Sequence, residues 1–262
     1  MNEREQAALD ALLKSKNYAC VYPDAVRRAF ETQLARHKTL KEAEKAARAQ
    51  LHQLTGAFMT PQQLKSAQAL MGQYAAGDQD ALWRALKLHA STAERLEGMR
   101  ALFARAFESL GGGTVLDLAC GLNPLYLGHV GKSVVGLDVN MGAVDLINRW
   151  AAAAGWDVRA RGADLTKPDA PLEKTGCALA MKLLPVLERS QKGAAMALLL
   201  RVSAPRILVS FPTRTLGGRS VGMAGHYTRW FEENLPGQFC LLDRFVEADE
   251  LCYTIKRKSM EE

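Results

Sequence analysis

The sequence predicts a doubly wound α/β domain on a mostly parallel seven-stranded sheet, preceded by an all-helical domain. Three observations predict it. From residue 114 onward, apolar β-like runs alternate with helix-like runs, the pattern of parallel strands joined by crossover helices. Residues 1 to about 108 place apolar side chains at helical spacing, with almost no strand-like alternation. Between them lies Gly111-Gly112-Gly113, a linker-like run, so the domains are expected as 1–110 and 111–262.

In chain order, Pro23-Asp24 opens a helical run to about Arg36 with Val26, Phe30 and Leu34 on one face, while Arg27 and Arg28 point elsewhere. Thr39 to about Leu54 is amphipathic through Leu40, Ala43, Ala47, Leu51 and Leu54. Thr60-Pro61 reads as a cap followed by a first-turn proline, Gly77-Asp78 breaks that helix, and a further run covers Ala81 to Leu88. Ser91 and Glu94 have capping-box spacing and predict a helix toward Phe107. The strands are expected at 114–118, 133–138, 157–161, 176–181, 206–211, 239–243 and 250–256, with the last two forming an antiparallel end. Helices fit at Ala143 to Ala154 and Ser190 to Ser203.

At 262 residues and 48% hydrophobic, the chain can bury the core of one large domain and a smaller one. No run of about 20 apolar residues and no leader pattern occurs, so a cytoplasmic protein without a membrane partner is expected. The five cysteines are scattered and form no C-x-x-C, which suggests neither a disulfide framework nor a metal site. Net charge is only +6 but uneven: Arg189, Lys192, Arg201, Arg206, Arg214, Arg219 and Arg229 fall in a 43-residue window, 189 to 231, with no acidic residue. Such a window suggests a surface facing a polyanion, with nucleic acid the favoured partner.

The organising stretch is Thr114-Val-Leu-Asp-Leu-Ala-Cys-Gly-Leu-Asn-Pro124, a strand, a small-residue turn and a helix start with Asn123 as candidate cap. A dinucleotide site needs G-x-G-x-x-G to bring backbone N–H groups to a pyrophosphate. Here a single glycine and a proline disfavour phosphate, and the carboxylate of Asp117 suits a ligand carrying an amine and a sulfonium. That ligand is S-adenosyl-L-methionine, and the run resembles methyltransferase motif I. Asp138, 21 residues on, has the spacing of an acid that holds a ribose diol. Asp164 after the third strand stands where methyltransferases commonly place an acid for the adenine amino group, or simply caps its own turn. Lys182 and the loop after the fourth strand should flank the methyl group. That loop lacks the Asp/Asn-Pro-Pro-aromatic run of amino-methylating enzymes and the Pro-Cys nucleophile of pyrimidine-C5 enzymes. An acceptor needing no activation remains, such as guanine N7, and no catalytic acid or base is expected beyond alignment of donor and acceptor. Phe211, His226, Tyr227 and Trp230 offer either stacking faces or core packing.

Taken together, Leu51-His-x-x-x-Gly-Ala-Phe, His89-Ala-Ser-Thr-x-Glu-Arg95, Leu116 to Pro124, Lys182-Leu-Leu-Pro-x-Leu-Glu-Arg189 and Ser210-Phe-Pro-Thr-Arg-x-Leu-Gly-Gly-Arg219 resemble the aminoglycoside-resistance 16S ribosomal RNA methyltransferases, which methylate N7 of guanine-1405. The resemblance spans nearly the whole chain. It implies a Rossmann-like class I methyltransferase domain and a helical domain that docks a monomer on the 30S subunit. Carried over residue by residue, it implies cofactor contacts at Asp117, Ala119, Cys120, Gly121, Asp138, Val139, Ala163, Asp164, Leu165, Lys182 and Leu183. RNA contacts are implied at Arg27, Arg28, His52, His89, Arg214 and Arg219, the two histidines suiting helix packing equally well. The family pattern often has a basic residue before the first strand, where Gly113-Thr114 stand here, so the methionine carboxylate is assigned to no residue. Two other readings of the chain are a non-catalytic ribosomal RNA-binding or assembly factor and a small-molecule methyltransferase.

Overall fold

Local sequence signals set the helical N-terminus. The computed structural model describes residues 1–52, 59–213 and 223–258. Asn2 and Glu5 form a reciprocal capping box that opens α1 (Glu3–Lys14). Pro23 occupies the first turn of α2 (Pro23–Arg36), where a missing N–H costs nothing, and Thr39 caps α3 (Leu40–Leu51). These three helices bury Leu9, Leu12, Val26, Phe30, Ala47 and Leu51 in a small core of their own.

The next helices belong to a different core. Thr60 and Gln63 box the start of α4 (Pro61–Ala75), which is followed by α5 (Asp80–Leu86), the single turn α6 (Ala90–Ala93) and α7 (Met99–Leu110). Leu64, Leu82, Leu86, Leu102 and Phe103 from this group share one core with Val115, Leu125, Val134, Ile147 and Trp150. The hydrophobic boundary therefore lies between α3 and α4 rather than at Gly111. Gly112 and Gly113 are no slack spacer either, since a Cβ on Gly176 would meet the Gly112 carbonyl oxygen at 2.4 Å. Small residues are required because two backbones pass at contact distance.

Beyond the glycines run β1 (Val115–Leu118), α8 (Asn123–His129), β2 (Val134–Asp138), α9 (Met141–Ala154), β3 (Val158–Gly162), β4 (Cys177–Met181), α10 (Leu184–Ser190), α11 (Ala194–Arg201), β5 (Arg206–Pro212), α12 (Met223–Asn234), β6 (Phe239–Glu247) and β7 (Glu250–Arg257). The sheet order is β3-β2-β1-β4-β5-β7-β6. The first five strands are parallel, while β7 runs antiparallel between β5 and β6. The chain reverses its direction of winding between β1 and β4, so a crevice opens outside their carboxyl ends.

Three local expectations are corrected. Residues 91 to 107 form two helices, α6 and α7, because Ser91 lies inside α6 rather than at its cap, its Oγ accepting from Arg95, and Glu94 pairs with Lys182. Asn123 is the first residue inside α8 and makes no cap, since its side-chain oxygen accepts from Arg95 at 2.7 Å. The run 190–203 yields only α11, with α10 filling the stretch read as a loop after the fourth strand.

Candidate functional site

A cavity of about 910 Å³, including its open mouth, occupies the crevice. Its floor and walls come from the residues just after four parallel strands. Ala119 and Gly121 follow β1, Asp138 to Asn140 end β2, Ala163 to Thr166 follow β3, and Met181 to Leu183 end β4. Val186 and Leu187 of α10 form an apolar side, while Arg28 of α2 and His89 and Ser91 of the α6 turn close the other.

The turn after β1 is tightly specified. Ala119 and Gly121 both have left-handed backbone, with φ of 54° and 51°. A Cβ at Gly121 would lie 2.6 Å from the His89 ring, so only glycine fits beside the imidazole. His89 is 8% exposed, and its Nδ1 lies 3.0 Å from Thr92 Oγ1. Burial, with the nearby Arg95 and Lys182 charges, lowers its pKa to about 3, so the ring is neutral at physiological pH. A phosphate has no cradle here, because Pro124 lacks an N–H and the Asn123 N–H donates to the Cys120 carbonyl.

Two acids face the cavity, Asp164 buried and Asp138 partly buried. Asp138 accepts from the Gly121 N–H at 2.8 Å on one oxygen and from the Asn140 N–H at 2.8 Å on the other. Burial raises its pKa, and these amides together with that of Val139 oppose the rise. Asp164 accepts from the Thr166 N–H and hydroxyl on Oδ1 and from Arg28 Nε on Oδ2 at 2.6 Å. Both carboxylates are thus fixed in direction, with lone pairs left over for hydroxyl or amino donors on a ligand.

Beneath the opposite end runs a charged network centred on Arg95 and Glu250, to which the sequence reading assigned no role. Arg95, 2% exposed, donates to Glu250 at 2.7 Å, Asn123 at 2.7 Å and Ser91 at 3.1 Å. Ser210 also hydrogen-bonds Glu250, and Lys182 Nζ lies 3.5 Å from it while bonding Glu94 at 2.5 Å and the Ser91 carbonyl at 3.2 Å. Burial pushes Glu250 upward, but Arg95, Lys182 and Ser210 outweigh it and hold the carboxyl below its ordinary value. No local signal marks Arg95, four positions before α7, because its partner Glu250 lies 155 residues away.

Of the expected cofactor residues, Ala119, Gly121, Asp138, Val139, Ala163, Asp164, Leu165, Lys182 and Leu183 line this one cavity. Asp117 and Cys120 do not. Asp117 sits inside β1, flanked by Gly136 of β2 and Leu179 of β4, and is wholly buried. Burial drives its carboxyl well above the usual range despite Asn123 and Arg95, and the group does not reach the cavity wall where the sulfonium partner is expected. Cys120 Sγ points into the core, 2.9 Å from where a Gly136 Cβ would stand. Of the expected RNA contacts, Arg28 and His89 line the cavity, whereas Arg27 and His52 are exposed on α2 and at the end of α3. Arg214 and Arg219 lie outside the described residues. The basic window is partly spent internally: Arg201 donates to the Lys167 and Ala170 carbonyls, and Arg206 to that of Ser109. Phe211 is core, packed on Tyr227, Phe231 and Tyr253, and offers no stacking face.

The donor set fits a nucleoside joined to an amino-acid chain, with two acids for amino and hydroxyl groups, a tight apolar turn and no phosphate cradle. Comparison with known proteins agrees. Residues 14–254 match the family model described as ribosomal RNA methyltransferase (FmrO). The chain belongs to this family. A relative from Serratia marcescens, named 16S rRNA (guanine(1405)-N(7))-methyltransferase, is 45% identical over 252 residues, covering 95% of this chain and 97% of its own. Another of that name from Micromonospora echinospora is 33% identical, covering 94% of each chain. Among solved structures, the 16S rRNA methyltransferase RmtF, crystallised with S-adenosyl-L-homocysteine, superposes with a TM-score of 0.92 at 51% identity over 98% of this chain and all of its own. RmtB does so with a TM-score of 0.87 at 40% identity, covering 98% and 100%.

Proposed function

We propose that the protein transfers the methyl group of S-adenosyl-L-methionine to N7 of guanine-1405 in 16S rRNA, acting as a cytoplasmic monomer on the assembled 30S subunit. The observation that carries the reading is the single cavity holding Asp138, Asp164 and the Ala119–Gly121 turn beside Lys182 in a chain of this family. Asp138 holds the ribose hydroxyls, Asp164 the adenine amino group, and the Ala119–Gly121 turn the methionine part. When bound, S-adenosyl-L-methionine supplies an electrophilic methyl group on a sulfonium.

The chain's own contribution is placement. Neutral His89 keeps an imidazolium charge away from the sulfonium, and Leu183, Val186 and Leu187 exclude water from that side. Guanine N7 already presents its lone pair, so no residue needs to remove a proton, and aligning donor with acceptor supplies the acceleration. RNA contact is carried by the small helical unit α1–α3, where Arg27, Arg36, Lys41, Lys45 and Arg48 are all exposed, and by the segment with Arg214 and Arg219. Methylation there would protect the decoding site from 4,6-disubstituted deoxystreptamines such as gentamicin and kanamycin.

The test is incubation with methyl-labelled cofactor and 30S particles, naked 16S RNA or small metabolites, followed by primer extension across the labelled RNA. Label in 30S particles mapped to guanine-1405 is expected. No label in 30S, or label on another base, overturns the proposal.

A further inference from the structure

Helix α2 belongs to the small helical unit, yet it reaches into the cofactor cavity. Arg28 lines that cavity and donates from Nε to Asp164 Oδ2 at 2.6 Å. One turn earlier on the same face, Asp24 pairs with Lys167 at 2.8 Å, so two residues spaced i and i+4 clamp the loop after β3 with opposite charges. The start of α2 is also tied to the loop after β2. Tyr22 N–H donates to the Val139 carbonyl at 2.7 Å, Met141 N–H donates to the Cys20 carbonyl at 2.7 Å, and Val21 bridges Asn140. The fit at this seam is close, because a Cβ on Gly162 would stand 2.5 Å from the Tyr22 ring. The two loops that carry Asp138 and Asp164 are therefore held by α2 and by the segment Cys20 to Tyr22 that leads into it.

The two clamps differ in weight. Asp24 and Lys167 are each more than a third exposed, and solvent screens them. The Asp164 side chain is only 1% exposed, so its charge needs a partner, and Arg28 is the cation beside it. With Oδ1 committed to Thr166, the guanidinium sets the direction of Oδ2, leaving one lone pair for a ligand amino group.

We propose that Arg28 is a positioning residue of the cofactor site, fixing the Asp164 carboxylate for the adenine amino group, so that the helical unit α1–α3 forms part of the adenosine end. The proposal rests on the assignment of Asp164 to adenine. It gives Arg28 a role distinct from an RNA contact.

Calorimetry on the full chain tests it with two probes, S-adenosyl-L-homocysteine and its analogue bearing purine, which lacks the 6-amino group. Arg28→Ala should weaken S-adenosyl-L-homocysteine at least about tenfold, with the analogue's affinity changing less than about threefold. Arg28→Lys should recover part of the loss, and Asp24→Asn should leave both ligands within about twofold. An equal loss for both ligands in Arg28→Ala would mean a general packing role and overturn the proposal. Unchanged affinity for both would leave Arg28 to the RNA and overturn it too. If the unmodified protein binds both probes equally well, the assignment of Asp164 fails, whereas failure to bind S-adenosyl-L-homocysteine rejects the cofactor reading itself.

Discussion

Replacing His89 with asparagine isolates the energetics of one buried ring. The substitution keeps a polar atom near Nδ1 to meet Thr92, but it cannot titrate. In the folded chain the His89 pKa is lowered from 6.5 to about 3, by burial first and then by Arg95 and Lys182. Between these values the unfolded chain binds a proton that the folded chain refuses, so folding stability rises with pH across this window. The contribution is complete above about pH 6.5 and is lost as pH falls toward about 3. Each pH unit changes it by about 1.4 kcal/mol, so moving from pH 6.5 to 5 should cost the native protein about 2 kcal/mol that His89→Asn does not lose. Urea denaturation of both proteins at several pH values reads this as a difference of differences, in which the titrations of Asp117, Asp138 and Glu250 cancel. Parallel stability curves for the two proteins would refute the burial argument.

The remaining predictions concern the network and the turn. Arg95→Ala leaves Glu250 and Asn123 without their main partner in a buried site, and breaking such a pair should cost about 3–5 kcal/mol. In a chain of this size that is a drop of roughly 10 °C in melting temperature, while a change under about 3 °C would show that Lys182 and Ser210 suffice for Glu250. Gly121→Ala forces a Cβ to 2.6 Å from His89 at a left-handed φ of 51°. It should reduce S-adenosyl-L-homocysteine affinity at least about tenfold by calorimetry, and unchanged affinity would take the turn out of the site. Asp138→Ala removes acceptors for two backbone amides as well as the ribose partner. It should abolish measurable cofactor binding and also lower stability by about 1–3 kcal/mol, and a variant that binds normally would reject the assignment.

The strands were legible because each is a short apolar run bounded by turn residues, and their mostly parallel direction followed from strand–helix alternation. Asp138 and Asp164 were legible because a strand end fixes where its next side chain points. What stayed hidden depends on distance along the chain. Glu94 stands at cap spacing from Ser91, yet Lys182, 88 residues away, claims it. Asp117 looked like a strand-end acid, but the strand continues through Leu118 and closes over it. Arg28 carries no local sign of its partner, which lies 136 residues further on.

The seam between the two cores has a consequence for how this molecule can be taken apart and recombined. A fragment starting at the triple glycine would discard Leu64, Leu82, Leu86, Leu102 and Phe103, and so expose the apolar back of the sheet they cover. Such a fragment should aggregate rather than serve as a minimal catalytic unit. Residues 1–51 carry their own core and meet the rest through the α2 seam, so the exchangeable module between relatives is this shorter one. A chimaera that swaps it keeps the sheet intact but must bring matching partners for Asp164 and Lys167, or the graft will fold beside a misaligned pocket.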